Sequence, residues 1–483
     1  MLEGTCLSRR HFCGSSAMSI GALGLASLLD GDGLLSSGRA SEKPDFEKAV
    51  FDLKPKRPAK PGSAKAMISL FMGGGPSHVD MFDPKPTLDK HDGKLFPGGE
   101  IKFDNAGDAS RTIMASKFKF KPHGQSGIEL SELLPHTATI VDDMTLVRSM
   151  NLGGLRNHVA GMKGLDTGRG AGGRPALGSW LTYGLGSENQ DLPAFVALVV
   201  RKDPPGSPYW SSGLLPSIYQ GTHVREDQPR ILNLDPPPHL KGTPQQLQLG
   251  LLDKLNARHL EEHPGENDLA ARIASYGLAA RMQMAATEAL DLGLETEATH
   301  KMYGLDQEAT RRIGEACLIA RRLVERGVRF VQIWYYDWDM HQNLNEQLPQ
   351  LCGRTDQPSA ALVKDLKQRG MLDSTLVFWG GEMGRLPVVQ TARTGKFTAG
   401  RDHNTDGFSI WLAGGGVKQG HVHGATDEFG LHAVEDVVHH YDYLATVLHL
   451  FGLDAKKLTY RRNGRDETIL DGQPGQVVKG VLA

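Results

Sequence analysis

Cysteine is almost missing from this chain: four residues in 483. Two of them, Cys6 and Cys13, stand in the first few residues, which leaves Cys317 and Cys352 for the body of the protein. So sparse a set excludes a disulfide-stapled scaffold and the cysteine-rich zinc modules. An excess of charge of one sign is missing too, since 54 Lys and Arg face 56 Asp and Glu, a formal net charge of −2. That balance excludes a nucleic-acid binder working through a broad basic field and an acidic solvating tail. No apolar run is long and clean enough for a stable membrane span. Glycine is plentiful, with 58 residues beside 26 prolines, but it shows no short period, which excludes a collagen-like repeat. What remains has 39% hydrophobic and 23% charged residues, the composition of an ordinary globular protein with length enough for a large core.

The N-terminal segment reads as a targeting signal. Ser8-Arg9-Arg10-His11-Phe12 precedes a small-residue apolar run from Ser15 to Leu29. Adjacent arginines before such a run are the pattern of twin-arginine export, which would place the mature protein in the periplasm or outside the cell. Cleavage is expected near Ser37-Gly38-Arg39-Ala40. Residues 1–43 are therefore read as signal and lead-in, and 44–483 as a single domain. In an oxidising compartment Cys317 and Cys352 could pair, although lone cysteines in apolar surroundings are more often simply buried.

Strand and helix patterns alternate along the body. Ala66–Met72, Met144–Arg148, Ala194–Val200, Phe330–Tyr335, Thr375–Trp379 and Phe408–Leu412 are short apolar runs of strand type. Helices are expected over Ser131–Asp143, Asp268–Leu292, Asp306–Arg326, Ser359–Arg369 and Tyr441–Phe451, with Gly327 capping the third of these. Such alternation predicts an α/β sandwich with a mainly parallel central sheet, covered by helices on both faces. Residues 201–265, richer in Pro, Gly and His, are expected to form a loop-rich insertion.

In open α/β sheets the ligand site lies beyond the carboxyl ends of the strands, so the residues that follow each run carry the chemistry. After the first comes Gly73-Gly74-Gly75-Pro76-Ser77-His78-Val79-Asp80. His78 and Asp80 are candidate metal ligands there, although a tight turn with a polar edge explains the segment as well. Phe330–Tyr335 leads into Tyr336-Asp337-Trp338-Asp339-Met340-His341. If the extended backbone persists, Asp337, Asp339 and His341 share one face. Two carboxylates and an imidazole suit a divalent cation. Thr375–Trp379 ends in Gly380-Gly381-Glu382-Met383-Gly384-Arg385. A carboxylate at the end of a buried strand needs a partner, and Arg385 is a candidate for an oxyanion. His403, with Asp402 to orient it, is a further ligand candidate. His421 and His423, also at alternate positions, are read as supporting or surface residues. His158 could sit at the ligand, and Arg169 could face an anion.

Together these segments resemble the exported bacterial proteins of domain-of-unknown-function family 1501. The matching stretches are GGGPSHVDMFDPKP from Gly73, NHVAGMKGLDTGR from Asn157, DWDMHQN from Asp337, GGEMGR from Gly380, GRDHN from Gly400 and GATDEFG from Gly424, followed by the C-terminal tail. That family is similar to the alkaline phosphatase and sulfatase superfamily. The resemblance implies an alkaline phosphatase-like α/β sandwich and a divalent metal, with Zn, Mn and Ca not distinguished. The implied ligands are Asp339, His341, Glu382 and His403, completed by Asp80 or His78. It also implies that Arg385 and Arg169 steady charge on a transferred phosphoryl or sulfuryl group. The implied substrate is an anionic ester, either a small molecule or a sulfated or phosphorylated polymer. One departure stands out. Counting back from Thr167-Gly168-Arg169, His158 occupies the place of the sulfatase nucleophilic Cys, which argues against formylglycine chemistry. A non-catalytic binding protein that keeps the fold and a structural metal is the competing expectation.

Overall fold

The computed structural model describes residues 51–104, 109–200, 207–232, 234–263, 266–390 and 399–483. The twin-arginine segment and its cleavage region lie outside them. One mixed sheet organises the chain. Its strands are β1 (Ala66–Gly73), β2 (Met144–Asn151), β3 (Phe195–Val200), β4 (Thr222–Arg225), β5 (Phe330–Tyr336), β6 (Thr375–Gly380), β7 (Phe408–Ala413), β8 (His421–His423) and β9 (Val438–His439). The spatial order is β8–β2–β7–β6–β1–β5–β3–β4, with β9 also paired to β2. Pairing is parallel everywhere except at β7, which runs against both β2 and β6. Strands β1, β3 and β6 are buried along their whole length, as continuous apolar runs in a sheet covered on both faces must be.

Seven long helices occur among the described residues: α1 (His158–Thr167), α2 (Leu177–Leu185), α3 (Thr243–Glu262), α4 (Asn267–Leu290), α5 (Glu308–Glu325), α6 (Leu344–Gln368) and α7 (His440–Leu450). Helices α5 and α6 pack together, and α5 lies on β1, β3 and β5. Helices α1 and α2 meet the face of β5 that carries Phe330 and Gln332. The layered α/β architecture expected from the alternating patterns is thus the one observed. No helix among the described residues is long and apolar enough to cross a membrane. Cys317 and Cys352 are free and buried.

Two helices differ from expectation for physical reasons. Ser131–Asp143 forms only two short 3₁₀ turns, Thr137–Thr139 and Val141–Asp143. Pro135 biases Leu134 away from helical backbone. The Asp356 carboxylate, from α6, accepts the amides of His136 (2.6 Å) and Thr137 (2.8 Å) in place of a helical ladder. Helix α6 begins at Leu344 rather than Ser359 and runs through Pro349 and Pro358. Each proline costs a helix about 3 kcal/mol. The buried face of Leu348, Leu351, Leu362, Val363 and Leu366 offsets that, at roughly 1.5–3 kcal/mol per side chain. Within 201–265 the described residues include the edge strand β4 and the 20-residue helix α3.

One buried polar group in this frame stands out. Asp166, near the end of α1, is 3% exposed, and its Oδ1 accepts Gln332 Nε2 at 3.1 Å. Burial pushes its carboxyl up to about 7 against the opposing pull of that bond. The folded state therefore holds a proton that the unfolded chain releases near the usual carboxylate value. Stability from this group is full below about pH 4 and is lost as pH rises through about 7. Asp166→Asn removes the dependence. In denaturant titrations the variant should gain stability relative to the parent between pH 5 and pH 8, and curves that shift in parallel would contradict the assignment.

Candidate metal centre

Loops leaving the carboxyl ends of β1, β5 and β6 meet above the sheet, where such folds place their ligands. Strand β5 stops at Tyr336, and the chain turns inward: Trp338 N donates to Gly73 O at 3.1 Å, and Met340 N to Trp338 O at 3.1 Å. That turn buries Trp338 and Met340 and presents Asp339 and His341. Gly74, at φ +110°, lies directly beneath it, and a Cβ there would stand 2.6 Å from Asp339 N, so the close approach requires glycine. Helix α1 begins at His158, its N-terminus capped by the Asn157 side chain, which accepts Ala160 N at 2.8 Å. His403 lies on a two-residue strand that pairs with Gly384–Arg385 just after β6.

These elements converge on one point. His158, Asp339, His341 and His403 each offer a metal-binding atom, all within 4.8 Å of one another. Asp339 Oδ1 is 2.9 Å from His341 Nε2 and 3.4 Å from His403 Nε2, and Asp339 Oδ2 is 3.1 Å from His158 Nε2. All three imidazoles present Nε2, and all three are held from behind at Nδ1. His158 Nδ1 meets Glu382 Oε1 at 2.7 Å, His341 Nδ1 meets Gln390 Oε1 at 2.5 Å, and His403 Nδ1 meets the Arg156 carbonyl at 2.7 Å. Metal-bound histidines are oriented this way, with the second nitrogen fixed by an oxygen acceptor.

The donor set fits a divalent ion on two further observations. His341 Nε2 and His403 Nε2 stand 3.0 Å apart; two imidazole nitrogens so placed share at most one proton, whereas a cation can accept both lone pairs. His158 Nε2 is buried and faces the Asp339 carboxylate, Oδ2 at 3.1 Å. Three imidazoles and a carboxylate are a donor set of the kind that holds a divalent transition-metal ion. Asp339 and His341, about 31% and 28% exposed, form the open side, while His403, 2% exposed, forms the floor.

The electrostatics favour a cation as well. Burial pushes the His158 imidazole down, but the Asp339 and Glu382 carboxylates outweigh it and raise its pKa to about 9. Burial pushes the Asp339 carboxyl up, and the three imidazoles with Arg385 reverse this, holding it far below the usual range. His403 is lowered, burial outweighing Asp339.

The remaining candidates are placed as follows. Glu382 is fully buried; besides holding His158, its two oxygens receive Gly74 N at 2.9 and 3.2 Å. Asp80 lies in a buried ion pair with Arg401 at 2.9 and 3.2 Å and accepts Ser77 Oγ at 2.5 Å. His78, also buried, bonds Gly430 O at 2.8 Å through Nε2. Arg385 donates to Asp339 Oδ1 at 2.7 Å and to the carbonyls of Gly74, Gly75, Trp338 and Arg401. Arg169 pairs with Asp471, through both its side chain and its carbonyl. Asp402 accepts His403 N at 2.8 Å and approaches His341 Nδ1 to 3.8 Å. Asp337 is outside the group of four. Sequence reasoning missed Gln390, Arg401 and the Arg156 carbonyl. A backbone oxygen leaves no sequence signal, and a glutamine after Val388-Val389 looks like any strand edge. Arg401 was legible in principle, because a buried Asp80 demands a cation.

Removing a ligand and removing an orienting group should be distinguishable. In a chelator competition titration with Zn, Asp339→Asn or His341→Ala should abolish stoichiometric binding. Glu382→Gln should retain it, with affinity about 10–100-fold lower. Equal binding by all three variants would rule out this centre.

The solved structures that resemble the chain distantly include the following three. Ps i-CgsB in complex with k-i-k-neocarrahexaose is 13% identical, with 82% of this chain and 72% of that one covered and a TM-score of 0.35. The PsFucS1 sulfatase from Pseudoalteromonas sp. is 12% identical, with 82% and 68% covered and a TM-score of 0.33. The phosphonate monoester hydrolase SpPMH from Silicibacter pomeroyi is 12% identical, with 71% and 70% covered and a TM-score of 0.30. No curated protein matches the chain. The family model described as protein of unknown function (DUF1501) matches residues 64–482, and the chain belongs to that family.

Proposed function

We propose that the protein is an exported, metal-dependent hydrolase of phosphate or sulfate esters. The observation that carries the reading is the convergence of three oriented Nε2 atoms and one carboxylate on a partly open point beyond the strand ends. The reaction class comes from the motifs that resemble the alkaline phosphatase and sulfatase superfamily. His158, Asp339, His341 and His403 would hold the ion. Bound there, a divalent ion would polarise a phosphoryl or sulfuryl oxygen and make coordinated water acidic.

The chain's own groups divide the remaining work. Glu382, Gln390 and the Arg156 carbonyl keep the imidazoles aimed. Arg385, fully buried with its donors on carbonyls and Asp339, fixes the ligand carboxylate and is not free to grip a substrate anion. Two cationic side chains, Lys102 and Arg156, share with His403 a hollow of about 50 Å³ whose lining also holds Glu100 and Asp406. Arg156 is steadied there by Asp406 at 3.1 Å. The substrate enters over Asp339 and His341. A twin-arginine signal would deliver the protein, already folded, to the periplasm or beyond.

One feature supports the competing reading, a binding protein without turnover: the position of a sulfatase nucleophile is His158, whose Nε2 faces the centre. Turnover of 4-nitrophenyl phosphate and 4-nitrophenyl sulfate separates the two readings. Protein loaded with Zn or Mn should hydrolyse at least one ester, chelator should stop it, and Asp339→Asn should lower kcat/KM about 100-fold or more. Stoichiometric metal with no turnover of either ester would leave the binding protein.

A further inference from the structure

A second polar hollow, of about 570 Å³, runs along the sheet edge formed by β8 and β9, within the size range of small-molecule sites. It shares no residue with the metal centre. Strand β8 pairs with Thr145–Val147 at the start of β2, and β9 pairs with Met150–Asn151 at its end. The hollow therefore extends along most of β2, about 20 Å at strand rise. The C-terminal segment that includes Gln476, Lys479 and Gly480 forms its other bank.

Its lining is built to offer hydrogen-bond donors and a flat ring. His439 and Tyr441 stack with centroids 4.9 Å apart and planes 20° apart. The His439 side chain is held in a capping box with Asp442 at the start of α7. His421 and His423 project from alternate positions of β8, with centroids 6.2 Å apart. Each is anchored at the backbone, His421 to Gly480 and His423 to Asp436, and burial lowers both pKa values, keeping the rings neutral near pH 7. Gly480 fits closely on His423: a Cβ there would lie 2.5 Å from the ring. Lys418 and Lys479 border the hollow, and neither forms an ion pair among the described residues. Of the two acids in the lining, Asp442 has both oxygens on backbone amides, of His439 at 3.1 Å and Gln476 at 2.7 Å. The lining thus sets two ammonium groups against two carboxylates, of which Asp442 is tied to backbone amides and Asp436 stands beside His423.

We infer that this hollow is a second ligand site, separate from the metal centre, for an anionic saccharide. The stacked His439–Tyr441 pair would take the face of a sugar ring, the neutral imidazoles its hydroxyls, and Lys418 with Lys479 its sulfate, phosphate or carboxylate. An elongated groove suits a chain of sugar units better than a single ion. The inference does not depend on turnover at the metal centre.

Calorimetric titration of the full chain, with and without added Zn, tests it. The probes are a sulfated tetrasaccharide, its desulfated counterpart and inorganic sulfate. The sulfated tetrasaccharide should bind, and more tightly than the other two. The double variant Lys418→Ala with Lys479→Ala should weaken it at least tenfold, and Tyr441→Ala should weaken both saccharides. Lys418→Arg with Lys479→Arg should restore binding, and Asp339→Asn should leave it unchanged. Unchanged thermal midpoints identify variants that remain folded. No binding of the saccharide, undiminished binding by the folded double Ala variant, or loss in Asp339→Asn would each overturn the assignment.

Discussion

A single buried guanidinium holds the upper end of this molecule together. Arg385 has no exposed surface, so its N–H groups must find acceptors inside the protein. They find them on Gly74 and Gly75 after β1, Trp338 and Asp339 after β5, and Arg401 in the chain that returns to β7. Three loops are thereby fixed to one planar, five-donor group. The position of Asp339, and with it the point on which the imidazoles converge, follows from satisfying that one charge. A lysine could not replace it, since its three donors and flexible stem cannot reach so many fixed carbonyls.

Each carboxylate near the centre has a different assignment, and burial explains why. Asp80 is neutralised by Arg401, Glu382 is held by the single backbone amide of Gly74 and an imidazole, and Asp402 by backbone amides. Only Asp339 keeps an exposed edge among the imidazoles. An ionised side chain removed from water needs compensation, and all four receive it from the protein itself. The fourth receives it from Arg385 and from imidazoles that are themselves metal-binding groups, which is where an external cation could enter.

Much of this was legible in the residues. The strand runs were, because a parallel sheet covered on both faces makes near-continuous apolar stretches. So were the residues that follow them, because the fold class fixes which strand ends carry the ligand. Asp339, His341 and His403 come together as their motifs suggested. The division between Glu382 behind the site and His158 within it was not legible. Both are polar residues at element ends, and only the direction in which α1 enters decides which one faces the centre. Helix α6 passing through two prolines was equally hidden, since local propensity spoke against it and tertiary burial prevailed. Gln390 shows the general limit: its role depends on a partner 49 residues away, and neither residue marks the other.

The orienting groups have a consequence for how the protein meets its surroundings. His158 and His403 are brought together from 245 positions apart in the sequence, and their supports come from yet other segments. An unfolded chain thus has scattered imidazoles and no site. Occupancy and folding become one equilibrium, in which any ion that prefers the assembled centre adds to the stability of the whole domain in proportion to the logarithm of its concentration. The abundance of such a protein would then register metal supply. In scarcity the apo chain would open more often and be degraded sooner, so the cell would lose the protein itself before it accumulated an idle one.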